Sequence, residues 1–320
     1  MSDQFFRSSQ TGRLDDAARA GWLYYVAGNT QDEIARKLGV SRQSAQRLVS
    51  LAVSEKLIKV RVDHPIAKCM ELAKALTDRF ELLFCEIVPS DPDAPGLLSG
   101  IASAGASAME RYLNDPASKI LGIGTGRALR ACVEQLPHMN CPQHRIVSRL
   151  GNMMSDGSAT PYNVVIRMAE RVGARHYPMP LPVVARSREE LSVLHGLEPV
   201  RNSLALCAEA DVTFVGIGQI DDTAPLVVDG FMEHAQVAAL RSAKAAGEIT
   251  SWVYDEDGKV LSGGFNALVA SAPLEPSDDK PMIGIAIGQG KVRAIRAAMS
   301  GKLINGLISN EATATSILSL

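Results

Sequence analysis

Three glycine-rich turns carry the residues best suited to binding chemistry. They read Gly122-Ile123-Gly124-Thr125-Gly126-Arg127, Gly216-Ile217-Gly218-Gln219 and Gly284-Ile285-Ala286-Ile287-Gly288-Gln289-Gly290-Lys291. A glycine lets the backbone approach a phosphate closely, and a helix that follows points its free N–H groups at the anion. Thr125 adds a hydroxyl donor, and Arg127 and Lys291 add positive charge. One such turn could merely end a strand. Three in one chain predict a site for a phosphorylated or polyhydroxylated small molecule. Two carboxylates near strand ends could hold sugar hydroxyls: Asp255 in the segment YDEDG and Glu311 in ISNEATATSIL. Each also has a plain structural reading, Asp255 as a turn residue and Glu311 as the complement of a helix dipole.

A cofactor is not expected. The first turn opens as G-x-G, but Arg127 stands where the third glycine of a dinucleotide fingerprint belongs, and no acidic residue is placed for the ribose. There is no G-x-x-x-x-G-K-[ST] for a nucleotide triphosphate. The five cysteines form no C-x-x-C, and the six histidines make no metal-like spacing.

A second stretch carries a different chemistry. Thr30 to Leu48 reads TQDEIARKLGVSRQSAQRL. Ile34, Ala35 and Leu38 sit at helical spacing, Gly39 breaks the pattern, and Ala45, Leu48 and Val49 resume it. Thr30 and Glu33 form a T-x-x-E capping box, and Ser41 can cap the second helix. A short helix, a tight turn and a helix with a polar outer face make a helix-turn-helix. Ser41, Arg42, Gln43, Ser44 and Arg47 are the expected DNA contacts on a recognition helix from Ser41 to about Glu55. From Glu33 to Val62 there are seven Lys/Arg against two Asp/Glu, in a chain of net charge −2. That basic island suits a nucleic-acid-binding module.

The elements that must position these residues follow from hydrophobic periodicity. Residues 1–12 read as a loose arm, and Leu14 to Val26 as a helix with Leu14, Ala17, Ala18, Gly21, Trp22, Tyr25 and Val26 on one stripe. LIKVRVDHP, from Leu57, alternates as a short strand or wing. A helix from Ile66 to Phe84 would join the head to the body, either packing on the body or carrying its signal. From Cys85 onward short apolar runs alternate with helical patterns, including EHAQVAALRSAKAAG and KVRAIRAAMSG as helices. The expected fold is therefore α/β. A small all-α helix-turn-helix head over 1–64 precedes a mostly parallel, doubly wound body over 65–320. In such sheets ligands sit beyond the carboxyl ends of the strands. No run approaches ~18 apolar residues, so no membrane span is expected, and the N-terminus lacks an apolar signal core. A cytoplasmic protein is expected.

The chain resembles the SorC family of bacterial sugar-binding transcriptional regulators. The resemblance rests on TQDEIARKLGVSRQSAQRLVSLAVSEKLIKV in the head, and on LGIGTGRAL, DVTFVGIGQID, DEDGKVL and PMIGIAIGQGKVRAIRAAMSGKLINGLISNEATA in the body. It implies a head that binds operator DNA, a body similar to sugar-phosphate isomerases and glucosamine-phosphate deaminases, and a homo-oligomer, dimer or tetramer. Control would come from a sugar phosphate, sugar or polyol. It further implies that Gly124, Thr125, Gly126 and Arg127 cradle the polar end of the effector, with Gln219, Asp255, Lys291 and Glu311 lining the rest. The alternative is an isomerase- or deaminase-type enzyme of the same fold. Such an enzyme needs a carboxylate or histidine base. The deaminases carry Asp-Gly-His after the Gly-x-Gly turn; this chain has Gln219, Ile220 and Asp221, so catalysis is not expected.

Overall fold

The computed structural model describes residues 2–55, 57–58, 66–154 and 156–320. It divides into two compact units, residues 1–64 and 65–320.

The first unit holds three helices, α1 (Ser2–Tyr25), α2 (Gln31–Leu38) and α3 (Arg42–Ser54). The expected loose arm is instead helical from Ser2, and the first proline of the chain, which could break such a helix, is Pro65. The buried stripe of α1 also differs from expectation. Ala17, Ala20 and Gly21 face inward, whereas Trp22, Tyr25 and Val26 are exposed. The reason is close helix packing. A Cβ on Gly21 would stand 2.8 Å from the Ala52 methyl of α3, so only small residues fit that crossing. The capping box at α2 is formed in both directions, with the Thr30 N–H donating to Glu33 at 2.8 Å. Gly39 closes α2 at φ 68°, a left-handed conformation that glycine adopts without strain. Ser41 then caps α3 by accepting from the Ser44 N–H. Ile34, Ala45 and Val49 form the small core with Ala20. The strand expected over 57–64 falls outside the described residues except for Leu57 and Ile58.

The second unit begins with α4 (Ala67–Phe80), which stops four residues short of the expected Phe84 because Glu81 turns left-handed at φ 54°. There follow β1 (Phe84–Val88), α5 (Ser99–Leu113), β2 (Ile120–Ile123), α6 (Arg127–Gln135), β3 (Arg145–Met153), α7 (Val164–Val172) and β4 (Arg175–Pro182). Next come α8 (Arg188–Gly196), α9 (Glu198–Glu209), β5 (Val212–Gly216), β6 (Gly218–Gln219), α10 (Pro225–Val228), α11 (His234–Ser242), β7 (Ala245–Ile249) and β8 (Trp252–Asp255). The chain ends with β9 (Met282–Ile285), α12 (Val292–Ser300), β10 (Gly306–Asn310) and α13 (Glu311–Leu318).

Seven strands form one parallel sheet in the order β1-β10-β9-β5-β2-β3-β4. Alternate residues of each strand enter opposite cores. Phe214 and Ile308 pack with α5, α6 and α7, while Val215 and Leu307 pack with α4, α12 and α13. This is the doubly wound α/β architecture, and the chain reverses direction across the sheet between β2 and β5. A second, antiparallel sheet of β6, β7 and β8 was not expected. The helix expected to run to Gly247 ends at Ser242, because Lys244 adopts φ 58° and the next residues enter β7.

Candidate functional site

At the β2/β5 reversal the sheet opens into a cavity of about 270 Å³. The turn after β2 contributes Thr125, Gly126 and Arg127; that after β5 contributes Gly216 to Gly218; that after β9 contributes Ile285 to Ile287 and Lys291. The three glycine turns therefore converge on one site at the topological switch point, where open α/β sheets bind their ligands. Gly126 caps α6 at φ 115° and Gly288 leads into α12 at the same angle, backbone shapes that exclude most side chains. α6 thus begins at the cavity beside Arg127, while at α12 the N–H groups of Lys291 and Val292 are taken up by the Gly288 and Gln289 carbonyls of the preceding turn.

The expected effector residues divide into two sets. Thr125, Gly126, Arg127 and Lys291 line the cavity; Gly124, Gln219, Asp255 and Glu311 do not. A Cβ on Gly124 would stand 3.4 Å from the Thr250 methyl and the Phe214 carbonyl, ordinary contact distances, so packing does not demand a glycine there. Gln219 is half-buried on β6, and its Oε1 has no hydrogen-bond partner among the described residues. The Asp255 carboxylate accepts the N–H groups of Asp257 and Lys259 at 3.0 and 2.9 Å, which makes it the organiser of a turn. Glu311 accepts from the Ser90 N–H at 3.0 Å, and Asn310 Nδ2 donates to the Pro95 carbonyl. These bonds hold the segment that brings Gly96 and Leu98 to the cavity, so Glu311 acts on the site at one remove.

Five polar residues of the cavity escaped the sequence reading: Tyr162, Asp229, Glu248, Thr250 and Ser251. The Tyr162 hydroxyl donates to Asp229 at 3.2 Å. Burial pushes the Asp229 carboxyl up, opposed by that hydrogen bond and by the Arg127 charge. Glu248 is buried and its carboxyl is likewise raised by burial, opposed by the Ser251 N–H at 2.9 Å and by Lys291. A Cβ on Gly218 would stand 2.1 Å from Glu248 Oε1, so the second glycine turn is bare to admit this carboxylate. Burial pulls the Lys291 ammonium below its ordinary range, partly offset by Glu248. Neither the Arg127 nor the Lys291 side chain makes a hydrogen bond or ion pair among the described residues. Their donors are left for a ligand. The only sequence signal for Glu248 is a lone acid inside an apolar strand, AAGEI.

Among the described residues no histidine lines the cavity. Asp221 is engaged with the Thr223 N–H and hydroxyl, and Asp222 lies at the surface near His234 and Arg241. Among the described residues no cluster of His, Cys, Asp or Glu could hold a metal, and no helix is long and apolar enough to cross a membrane. All five cysteines are free, with burial pushing Cys132 up to about 12.

On the head, Ser41, Arg42, Gln43 and Arg47 are exposed on α3, and Ser44 is half-buried. Their freedom differs. Ser41 and Ser44 share a hydroxyl contact of 2.9 Å at the cap, and Arg42 lies 3.5 Å from Asp32. Gln43 and Arg47 have no such partner among the described residues, and exposed Gln46 joins that face.

A helix-turn-helix unit followed by a doubly wound domain with a polar switch-point cavity is the arrangement of a ligand-responsive regulator. A family model described as "Putative sugar-binding domain" matches residues 64–319. The chain is 33% identical over 302 residues to the erythritol catabolism regulatory protein EryD of Brucella abortus (strain 2308), covering 94% of this chain and 96% of that one. It is 29% identical over 310 residues to the transcriptional regulator LsrR of Escherichia coli (strain K12), covering 95% and 94%. The full-length sorbitol operon regulator SorC from Klebsiella pneumoniae superposes with a TM-score of 0.70 at 25% identity, covering 94% and 97%. The chain belongs to the SorC family of sugar-binding transcriptional regulators, and it is a regulator rather than an enzyme.

Proposed function

We propose that residues 1–64 bind operator DNA and that residues 65–320 bind the effector and assemble a homo-oligomer, dimer or tetramer, in the cytoplasm. The effector is a sugar, sugar phosphate or polyol seated in the switch-point cavity. The observation that carries this reading is the set of unpaired donors, Thr125, Arg127 and Lys291, around a cavity that also holds two carboxylates. Cations suit a phosphate or an electron-rich oxygen, and carboxylates accept from hydroxyl groups. The name of the Brucella relative favours a short polyol such as erythritol, or its phosphorylated products, as the first ligands to try. The controlled genes are then those of carbohydrate or polyol catabolism.

The signal has a physical route out of the site. The Gly288 N–H donates to Thr313 Oγ1 at 3.0 Å and Ser316 bonds Gln289, so the turn bearing Lys291 is tied to α13. On its other side α13 packs against α4, whose Arg79 donates to the Leu318 carbonyl. We infer that α4 carries the effector signal toward the head.

The test is a thermal-shift screen over polyols, sugars and their phosphates. A ligand at about 100 times its dissociation constant stabilises the protein by roughly 2.7 kcal/mol. No shift across the panel sinks the effector reading. For the head, Arg47→Ala is expected to cost roughly 1–3 kcal/mol of operator affinity if the guanidinium meets a base. A gel-shift titration at matched salt that gives an unchanged curve removes Arg47 from the interface. One head reads few base pairs, so a two-fold symmetric oligomer on a partly palindromic site is expected. A monomeric mass by light scattering at micromolar protein would count against it.

A further inference from the structure

The hairpin β7–β8 closes through two residues, Thr250 at φ 49° and Ser251 at φ 73°. Two-residue turns with both φ values positive are normally built from Asn-Gly or Gly-Gly, because a β-branched residue is strained in the left-handed region. Threonine is therefore a costly choice at this position, and the fold does not use what distinguishes it. Thr250 is 7% exposed, and its hydroxyl has no hydrogen-bond partner among the described residues. A buried hydroxyl without a partner destabilises the empty protein, and a methyl in its place would not. Strain and an orphaned polar atom on one residue at a cavity wall are the marks of a residue retained for its ligand. Its neighbours share the wall. Glu248, Thr250 and Ser251 all line the cavity, and the Ser251 N–H fixes the Glu248 carboxylate.

We propose that the Thr250 hydroxyl is a specificity-determining contact of the effector site, which with the Glu248 carboxylate reads two neighbouring hydroxyls of a polyol or sugar-phosphate chain. This rests on the effector reading above and adds the residues that recognise the carbon chain rather than its charged end. A carboxylate accepts from one ligand hydroxyl, while a threonine hydroxyl both donates to and accepts from the next. An analogue lacking those hydroxyls leaves both protein groups unpaired, which is how a polar pocket rejects a deoxygenated ligand.

The experiment uses the full chain with erythritol, D-erythrose 4-phosphate and 1,4-butanediol as probes. Calorimetric titration and unliganded melting curves are recorded for wild type, Thr250→Val and Thr250→Ser. Valine keeps the shape and the β-branching and removes only the hydroxyl. The expected result is binding of erythritol or D-erythrose 4-phosphate but not of 1,4-butanediol by wild type. Thr250→Val then loses roughly ten-fold in affinity, and Thr250→Ser stays within about three-fold. The unliganded Thr250→Val protein melts no lower than wild type. Undiminished binding by Thr250→Val overturns the proposal. So does a lower melting temperature of Thr250→Val, which would mark the hydroxyl as structural, and so does equal weakening in Thr250→Ser, which would mark the γ-methyl rather than the hydroxyl as what matters. Tight binding of 1,4-butanediol also overturns it while leaving the effector reading intact. Failure of wild type to bind either hydroxylated probe removes the short-chain effector class and this assignment with it.

Discussion

Lys291→Ala is expected to weaken a phosphorylated effector by at least about ten-fold, and a neutral polyol by less. Hydrogen bonds to a charged group contribute roughly 1.5–3 kcal/mol, which is about 10- to 150-fold in a dissociation constant. Lys291 is the N-cap residue of α12, is only partly exposed, and its ammonium feels the Glu248 charge without a hydrogen bond or ion pair among the described residues, so its donors are open to a ligand acceptor. Calorimetry with a polyol and its monophosphate separates the cases: equal losses on both would mean that Lys291 only shapes the pocket. The substitution has a second consequence through Glu248. Burial raises that carboxyl, and Lys291 is one of the two groups opposing the rise. With the ammonium gone the folded-state value climbs further above the unfolded one. Folded protein then holds the proton more tightly than unfolded protein. The stability this confers is complete below the ordinary carboxylate range and is lost as pH rises through the folded value. The melting temperature of the variant should therefore fall relative to wild type as pH rises above the ordinary carboxylate range, where the Lys291 charge eases ionisation of Glu248 in wild type and is missing in the variant. A constant difference across that rise in pH would break the proposed Glu248–Lys291 coupling.

How much of this was legible in the sequence depends on how local each feature is. The helix-turn-helix is written within nineteen residues, from Thr30 to Leu48, and each signal has a local counterpart: a capping box, a left-handed Gly39 and a Ser41 cap. The parallel sheet is legible because strands buried on both faces read as apolar runs. Helix α5 is hidden for the converse reason. SGIASAGASAMERYL is buried on several faces, and Gly105 is forced by the Cys132 sulfur, 2.4 Å from where a Cβ would be, so no polar stripe marks its period. The cavity was half legible. Thr125, Arg127 and Lys291 stand in glycine turns of the main sheet. Glu248 and Thr250 arrive on the separate β6–β8 sheet, folded against those turns, and no spacing along the chain encodes that approach. Asp255 and Glu311 were legible as important residues but not in their roles, since a carboxylate that binds backbone N–H groups looks the same in sequence as one that binds a sugar.

Gly258→Ala tests the structural role of the Asp255 turn, and its effect on stability should be the largest of any single methyl considered. Gly258 lies at φ 76°, where an L side chain costs about 1–2 kcal/mol. An added Cβ would also stand 2.3 Å from the Ala297 carbonyl and 2.6 Å from Gly301 Cα, at the C-terminal end of α12. Both neighbours are backbone, so relief requires the turn or the helix to move, at roughly 1–3 kcal/mol more. A total loss of about 2–5 kcal/mol is expected, read as a lower urea midpoint at unchanged slope. Gly290→Ala is the matched control, because nothing lies within 4 Å of its added Cβ and its φ is not positive. It should leave the midpoint where it is. The turn bears on binding through α12, which runs from Lys291 at the cavity to Gly301 against Gly258. Displacing one end of a helix of nine residues displaces the other. Gly258→Ala should therefore also weaken the effector, although no atom of the turn lines the cavity. Lost stability with unchanged effector affinity would show that α12 absorbs the shift along its length, and would disconnect the Asp255 turn from the site.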